Sequence, residues 1–200
     1  MYLVETVACA EIREETEYGG LRVTLTAKLG TAEIPVQVDV GFGDVITPEP
    51  EDIEFPTLLE MPAPRLRAYP KETVVAEKCE AMVSLELGNS RMKDFFDLWT
   101  LARTFPFDGA TLSQALNATF AGRGTPLPKE RPIALSEEFS TDAAKLAQWQ
   151  AFCRRSALQG APPSLQEVVT LLEQFLLPPL AMVRAGERYN AEWPPGGGWR

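Results

Sequence analysis

Between Leu21 and Val40 apolar and polar residues alternate with a period of two, interrupted once at Gly30-Thr31. Leu21, Val23, Leu25, Ala27 and Leu29 fall on one side of an extended segment, and Arg22, Thr24, Thr26 and Lys28 on the other. Ile34, Val36, Val38 and Val40 then alternate with Pro35, Gln37 and Asp39. Successive side chains of a strand point to opposite faces, and two such runs joined by a short glycine turn make an antiparallel hairpin. The expectation is a hairpin of residues 21–29 and 34–40 with one apolar face and one polar face, Asp39 on the polar one.

No comparable alternation follows. Six prolines between residues 48 and 70 predict an extended connector without regular structure. Helical periodicity then takes over, at roughly residues 71–87, 91–104, 110–122, 142–157 and 164–185 by the 3.6-residue pattern. The order of elements is α+β: a head of residues 1–104 and a helical domain of residues 105–186. Residues 187–200, ending in "EWPPGGGWR", have no periodicity and read as a disordered tail.

Histidine is absent from the 200 residues, which removes Ser-His-Asp triads, Cys-His pairs and histidine metal sites. Chemistry then falls to carboxylates, lysine, arginine, hydroxyls or thiols, and an oxygen-only metal site would suit Mg²⁺ or Mn²⁺. The three scattered cysteines, Cys9, Cys79 and Cys153, fit reduced thiols in a cytoplasmic protein. The start lacks a basic signal-peptide region, and no uninterrupted apolar run reaches membrane-spanning length. Net charge is −9 but uneven: residues 1–60 hold 3 basic against 13 acidic side chains, residues 61–100 six of each. That second stretch is either a solvated mixed surface or a local phosphate-attracting patch.

Two consecutive helices carry charges out of place. On the first, Val74, Val75, Cys79, Met82, Val83 and Leu85 form an apolar arc, with Glu72, Glu77, Ser84 and marginally Glu80 facing away. Lys78 projects between Leu85 and Met82, inside that arc. Such a lysine either snorkels to water along its stem or reaches an anion in a cleft. Removing it should relieve desolvation and leave stability nearly unchanged. On the second helix Met92, Phe95, Phe96, Leu98, Trp99 and Ala102 form the apolar face. Asp94 lies within its edge, and Asp97 points toward Lys93. Asp94 is either a first-turn acid on a helix capped by Ser90 or the partner of Lys78 across a shared cleft. With Asp39 as a third member, the set suits metal-assisted phosphoryl chemistry: carboxylates for the metal, lysine for triphosphate oxygens.

The segment "RAYPKETVVAEKCEAMVSLELGNSRMKDFFDLW", with the upstream "EYGGLRVTLTAKLGTAEIPVQVDVGFGD", resembles nucleotidyltransferase toxins of the AbiEii/AbiGii family over residues 11–183. The resemblance implies a polymerase-β-like nucleotidyltransferase head joined to a helical body. It implies NTP and Mg²⁺, transfer of a nucleotide to an acceptor such as tRNA, and a toxin of a toxin–antitoxin or abortive-infection system with a cognate antitoxin. Asp39 matches the strand-borne acid and metal ligand, Lys78 the third-motif lysine and Asp94 the fourth-motif aspartate. Lys93, Asp97 and Arg91 join Lys78 in the nucleotide-binding set. The family's opening Gly-Gly or Gly-Ser turn and Asp-x-Asp strand are not matched, since no glycine precedes Gly19 and residues 1–18 hold no aspartate. The chain is therefore expected to start after that motif, either as a toxin or as an inactive remnant that binds nucleotide or protein. An uncovered sheet face would invite self-association.

Overall fold

The alternating segment forms two long strands that pair as expected. The computed structural model describes residues 1–12, 19–156 and 163–200, and in it β2 (Gly20–Leu29) pairs antiparallel with β3 (Ala32–Gly41). The register sets Val23 opposite Val38, Leu25 opposite Val36 and Arg22 opposite Asp39. Gly30 turns the chain with φ 61°, a conformation that two-residue hairpins take from glycine. A further strand, β1 (Tyr2–Ile12), which the sequence pattern did not announce, pairs antiparallel with β2 and makes the order β1-β2-β3. It escapes notice because its pairing slips at a bulge between Leu3 and Ala8, which breaks the period-two signal. These strands make one unit, Met1–Asp44.

The apolar face of this sheet is largely uncovered. Tyr2 is 68% exposed, Ile34 43% and Val38 49%, all on the face that carries Val23 and Leu25. Among the described residues both outer strands have one edge outside the sheet, and Pro35 lies on β3.

The second unit, Val45–Arg200, contains the main core. Its proline-rich entry is not the structureless connector expected: β4 (Glu51–Glu54) and β5 (Arg65–Ala68) pair antiparallel, because the prolines fall outside the paired residues. Six helices follow among the described residues: α1 (Lys71–Leu85), α2 (Met92–Thr104), α3 (Gly109–Gly122), α4 (Glu137–Thr141), α5 (Ala143–Arg155) and α6 (Leu165–Ala185). The short α4, started by Ser136 with its side chain accepting from the Phe139 amide, was not legible in the sequence. The expected end of α5 at residue 157 lies outside the described residues. The boundary between compact units falls at Asp44/Val45 and not near residue 105, because α1 packs on α3 and α2 on α6. The first two helices thus share one core with the later ones.

α6 is 21 residues long and apolar enough to cross a membrane by length and composition alone. Its apolar stripe (Leu165, Val168, Val169, Leu172, Phe175, Leu176) is instead buried in this core. A capping box between Ser164 and Glu167 starts it, and Gly186, at φ 70°, ends it.

Residues 187–200 correct the expectation of a disordered tail. Two-residue strands β6 (Phe107–Asp108) and β7 (Glu192–Trp193) pair antiparallel, and Trp193 is fully buried. The reason lies in helix hydrogen-bond accounting. Pro179 has no N–H to return to the carbonyl of Phe175 four residues back, and the Trp199 indole N–H donates to that carbonyl at 3.0 Å. The Trp193 indole donates at 2.7 Å to the carbonyl of Ala102, one of the last carbonyls of α2, which no helical amide reaches. Gly109 lets the segment close, since a Cβ there would come within 2.8 Å of the backbone oxygens of Tyr189 and Ala191.

Two outcomes follow from this packing. Trp199→Phe keeps a ring against Phe175 but removes the donor, so it should lower unfolding free energy by about 1 kcal/mol, measured by urea denaturation. Val38→Lys should reduce concentration-dependent self-association in sedimentation velocity by placing charge on the uncovered sheet face; association unchanged by the substitution would show that this face is not involved.

Candidate functional site

α1 and α2 are joined by a short 3-10 turn, Glu86–Gly88, and a loop. They are set so that the lysine of one meets the aspartates of the other. Lys78 Nζ donates to Asp94 Oδ1 at 2.5 Å and to Asp97 Oδ2 at 2.9 Å. Arg91 and Lys93 complete the cluster: Arg91 Nε lies 2.6 Å from Asp94 Oδ2, and Lys93 Nζ 2.6 Å from Asp97 Oδ2. The Arg91 contact is an ion pair without hydrogen-bond geometry, so Asp94 Oδ2 stays buried without a hydrogen-bond donor. Five of the residues singled out in the sequence thus come together.

The protonation of Lys78 follows from this geometry. Burial is the largest single influence and opposes its charge. The hydrogen bonds to Asp94 and Asp97, with the charges of both, outweigh it and raise the lysine's pKa above its ordinary 10.5. An ammonium has three donors. The two aspartates take two, and among the described residues no acceptor takes the third.

The loop that fixes this meeting is held from below by a buried lysine the sequence reading did not single out. Lys145 of α5 is only 6% exposed. Its ammonium donates to the carbonyl of Asn89 at 2.9 Å and faces the Phe139 ring at 5.3 Å. Asn89, itself buried, accepts from the Arg91 amide at 2.8 Å. Ser90 therefore does not cap α2: the residue before the helix is Arg91, and no side chain caps the end. No local pattern reveals Lys145, because the carbonyl it holds lies 56 residues away.

The buried face of α1 is shifted from the arc read from the sequence: Leu85 is exposed and Val74 and Val83 are half-buried. Glu72 and Glu80, expected to face away, are each 5% exposed. Glu80 accepts from Arg123 Nη1 at 2.7 Å and from the Thr125 hydroxyl at 2.6 Å, partners from just beyond α3. Cys79, beside them, is fully buried, and burial pushes its thiol up to about 12. It is a packing residue and not a nucleophile.

Asp39 belongs to the sheet unit. Both its oxygens accept from Arg22, at 2.8 Å from Nε and 2.8 Å from Nη2, a bidentate pair between residues directly opposite across the strands. Gln37 Nε2 adds contacts at 3.2 and 3.3 Å. The donors present do not fit a divalent cation as they stand. Asp39 is engaged by a guanidinium, Asp94 and Asp97 by ammonium groups, and among the described residues no three His, Cys, Asp or Glu side chains gather into a metal-holding group.

The family described as "Nucleotidyl transferase AbiEii toxin, Type IV TA system" matches residues 2–171. The chain belongs to that family. Comparison with curated proteins and with solved structures found no match. Membership makes the protein one of a family of nucleotidyltransferase toxins of type IV toxin–antitoxin systems, for which a nucleotide substrate and a cognate antitoxin are implied.

The pH dependence of stability tests the cluster. A lysine whose folded-state pKa is raised contributes stability that is fully present below its unfolded value and lost as pH rises through the folded value. Unfolding free energy should therefore hold this contribution from neutral pH up to about 10 and lose it above 10.5. In Lys78→Met that alkaline loss should be smaller, which denaturation at stepped pH will read.

Proposed function

We propose that this chain binds an NTP through the Lys78 cluster and transfers its nucleotide to an RNA acceptor such as tRNA in the cytoplasm, as the toxin of a toxin–antitoxin pair. The observation that carries the reading is the shared seat of Lys78, Asp94 and Asp97 in a chain of this family. In nucleotidyl transfer an acceptor hydroxyl gives up its proton to solvent as its oxygen bonds to the α-phosphorus. The bond from that phosphorus to the bridging oxygen breaks, and pyrophosphate leaves with the electron pair. Negative charge therefore grows on the departing phosphates.

The third N–H of Lys78 is free to meet that charge, held in direction by the two aspartates, so little reorganisation is needed when the charge develops. Asp94 and Asp97 orient the ammonium and keep it protonated. Arg91 and Lys93, both on the open side of the cluster, add positive potential for the triphosphate. Mg²⁺ is the cation that the family resemblance implies, with Asp39 as its donor here. Since Asp39 is engaged by Arg22, no step is assigned to a metal.

That engagement supports a second reading, in which the chain binds nucleotide without turnover. The two readings separate in one assay: each labelled NTP is incubated with bulk tRNA and the chain, and both transfer and NTP binding are measured. Transfer supports the first, and binding without transfer the second. Absence of both sinks the site.

Lys78→Ala should weaken triphosphate binding by about 1.5–3 kcal/mol, the range for a hydrogen bond to a charged group. It should also cost stability, about 1–3 kcal/mol, because Asp94 would keep a buried oxygen bonded to nothing but a neighbouring charge. This reverses the expectation from sequence that removing the lysine would be neutral. Binding measured calorimetrically at a temperature where circular dichroism shows the variant folded separates the two effects.

A further inference from the structure

A groove of about 480 Å³ runs between the C-terminal half of α2 and the first turns of α6, bordered by Trp99, Arg103, Ser164, Gln166, Thr170 and Gln174. Its chemistry differs from the rest of this acidic protein. The Arg103 guanidinium lies over the Trp99 ring at 4.9 Å, and Trp99 is backed in turn by Phe96 at 5.9 Å. The guanidinium thus rests over an aromatic ring while the Arg103 side chain stays exposed. Among the described residues Arg103 has no carboxylate partner. The carboxylate in the groove wall, Glu167, accepts from the Ser164 amide at 2.7 Å and the Ser164 hydroxyl at 2.8 Å, both through Oε2. Those bonds hold it below the usual carboxylate range.

α5 packs beside residues of this region. The Trp149 indole donates to the Pro163 carbonyl at 2.9 Å, and Phe152 packs on Phe96 at 5.8 Å. The last turn of α5 carries Arg154 and Arg155, both exposed and, among the described residues, without a carboxylate partner. Gln166, Thr170 and Gln174 supply amide and hydroxyl groups that both donate and accept. Unpaired bases are recognised by stacking on aromatic or guanidinium planes, with side-chain amides on their edges and arginines on the phosphates.

We propose that this groove binds an unpaired nucleotide of the RNA acceptor, its base stacked on the outer plane of Arg103 and its phosphates toward Arg154 and Arg155. The proposal rests on the reading of the chain as an RNA-directed nucleotidyltransferase. Asp94 and Arg103 are nine residues apart on α2, about 13 Å along its axis and on opposite sides of it. The groove is therefore a separate subsite that would hold the acceptor strand away from the triphosphate.

The test uses the full chain, an eight-nucleotide single-stranded RNA of mixed sequence, the same sequence as a duplex, and ATP, GTP, CTP and UTP. Fluorescence anisotropy should show tighter binding of the single strand than of the duplex. Arg103→Ala should lower single-strand affinity about tenfold, within the range expected for a lost base stack, with melting temperature and NTP affinity unchanged. Arg103→Lys should lose about as much, because it keeps the charge and loses the plane. Affinity unchanged in Arg103→Ala, full rescue by lysine, or a preference for duplex would overturn the proposal. So would protection of Arg103 from arginine-directed modification by a second copy of the chain and not by RNA. NTP binding without RNA binding also overturns it while leaving the nucleotidyltransferase reading intact. Arg103-dependent RNA binding with no affinity for any NTP supports the groove and removes that reading.

Discussion

The ion cluster of Lys78, Asp94 and Asp97 is the constraint around which the helical unit is arranged. Two charged groups withdrawn from water gain only if they meet with good geometry, since either one left alone inside costs several kcal/mol. Asp94 is 5% exposed, so α1 and α2 have little freedom to shift in register without exposing or orphaning it. The loop between them is correspondingly tied down, by Asn89 to the Arg91 amide and by Lys145 to the Asn89 carbonyl. Under the proposed function this support would help, because a rigid donor loses less freedom when it meets an anion.

The C-terminal segment shows the same logic applied to the backbone. Pro178 and Pro179 continue α6 but remove amide donors, and Trp199 supplies one of the missing partners from outside the helix. Trp193 does the same for the end of α2. Two aromatic side chains with a single donor each thereby join helices that are distant in sequence, and their rings complete the core with Phe107 and Phe175. Burial and hydrogen bonding act together here, because a tryptophan buries a large apolar surface while its N–H needs an acceptor.

The sheet unit is organised differently. Its polar face is knit by cross-strand pairs such as Arg22 with Asp39 and Lys28 with Glu33, both solvent-exposed and so of small energetic weight. The strand pairing is sustained by the long ladder of β2 with both neighbours, while much of the apolar face is left to solvent. Three strands with a hydrophobic face meet the minimum for a sheet to be stable without a packed helix.

Much of this was legible in the residues alone, and the physical reason is locality. The hairpin register follows from period-two alternation and a glycine turn, and five helices follow from 3.6-residue periodicity, because both signals are written within a few residues of where they act. The inward placement of Lys78 and Asp94 was legible for the same reason: each breaks the pattern of its own helix. What the local pattern could not carry was pairing at a distance. Glu80 looked solvent-facing until Arg123, 43 residues away, was brought to it. Lys145 broke no local pattern, and Asp97 pointed toward Lys93 with no sign of its bond to Lys78. The last fourteen residues read as disordered because two tryptophans among prolines and glycines have no period. Only the fold shows that each indole N–H faces a helix carbonyl left without its own donor. The sequence by itself determined the β2–β3 hairpin, five of the helices and the inward placement of Lys78 and Asp94. The tertiary structure alone decided which of those charges and orphaned carbonyls meet, because a hydrogen bond or ion pair depends on distance in space and carries no mark of the separation in sequence that it closes.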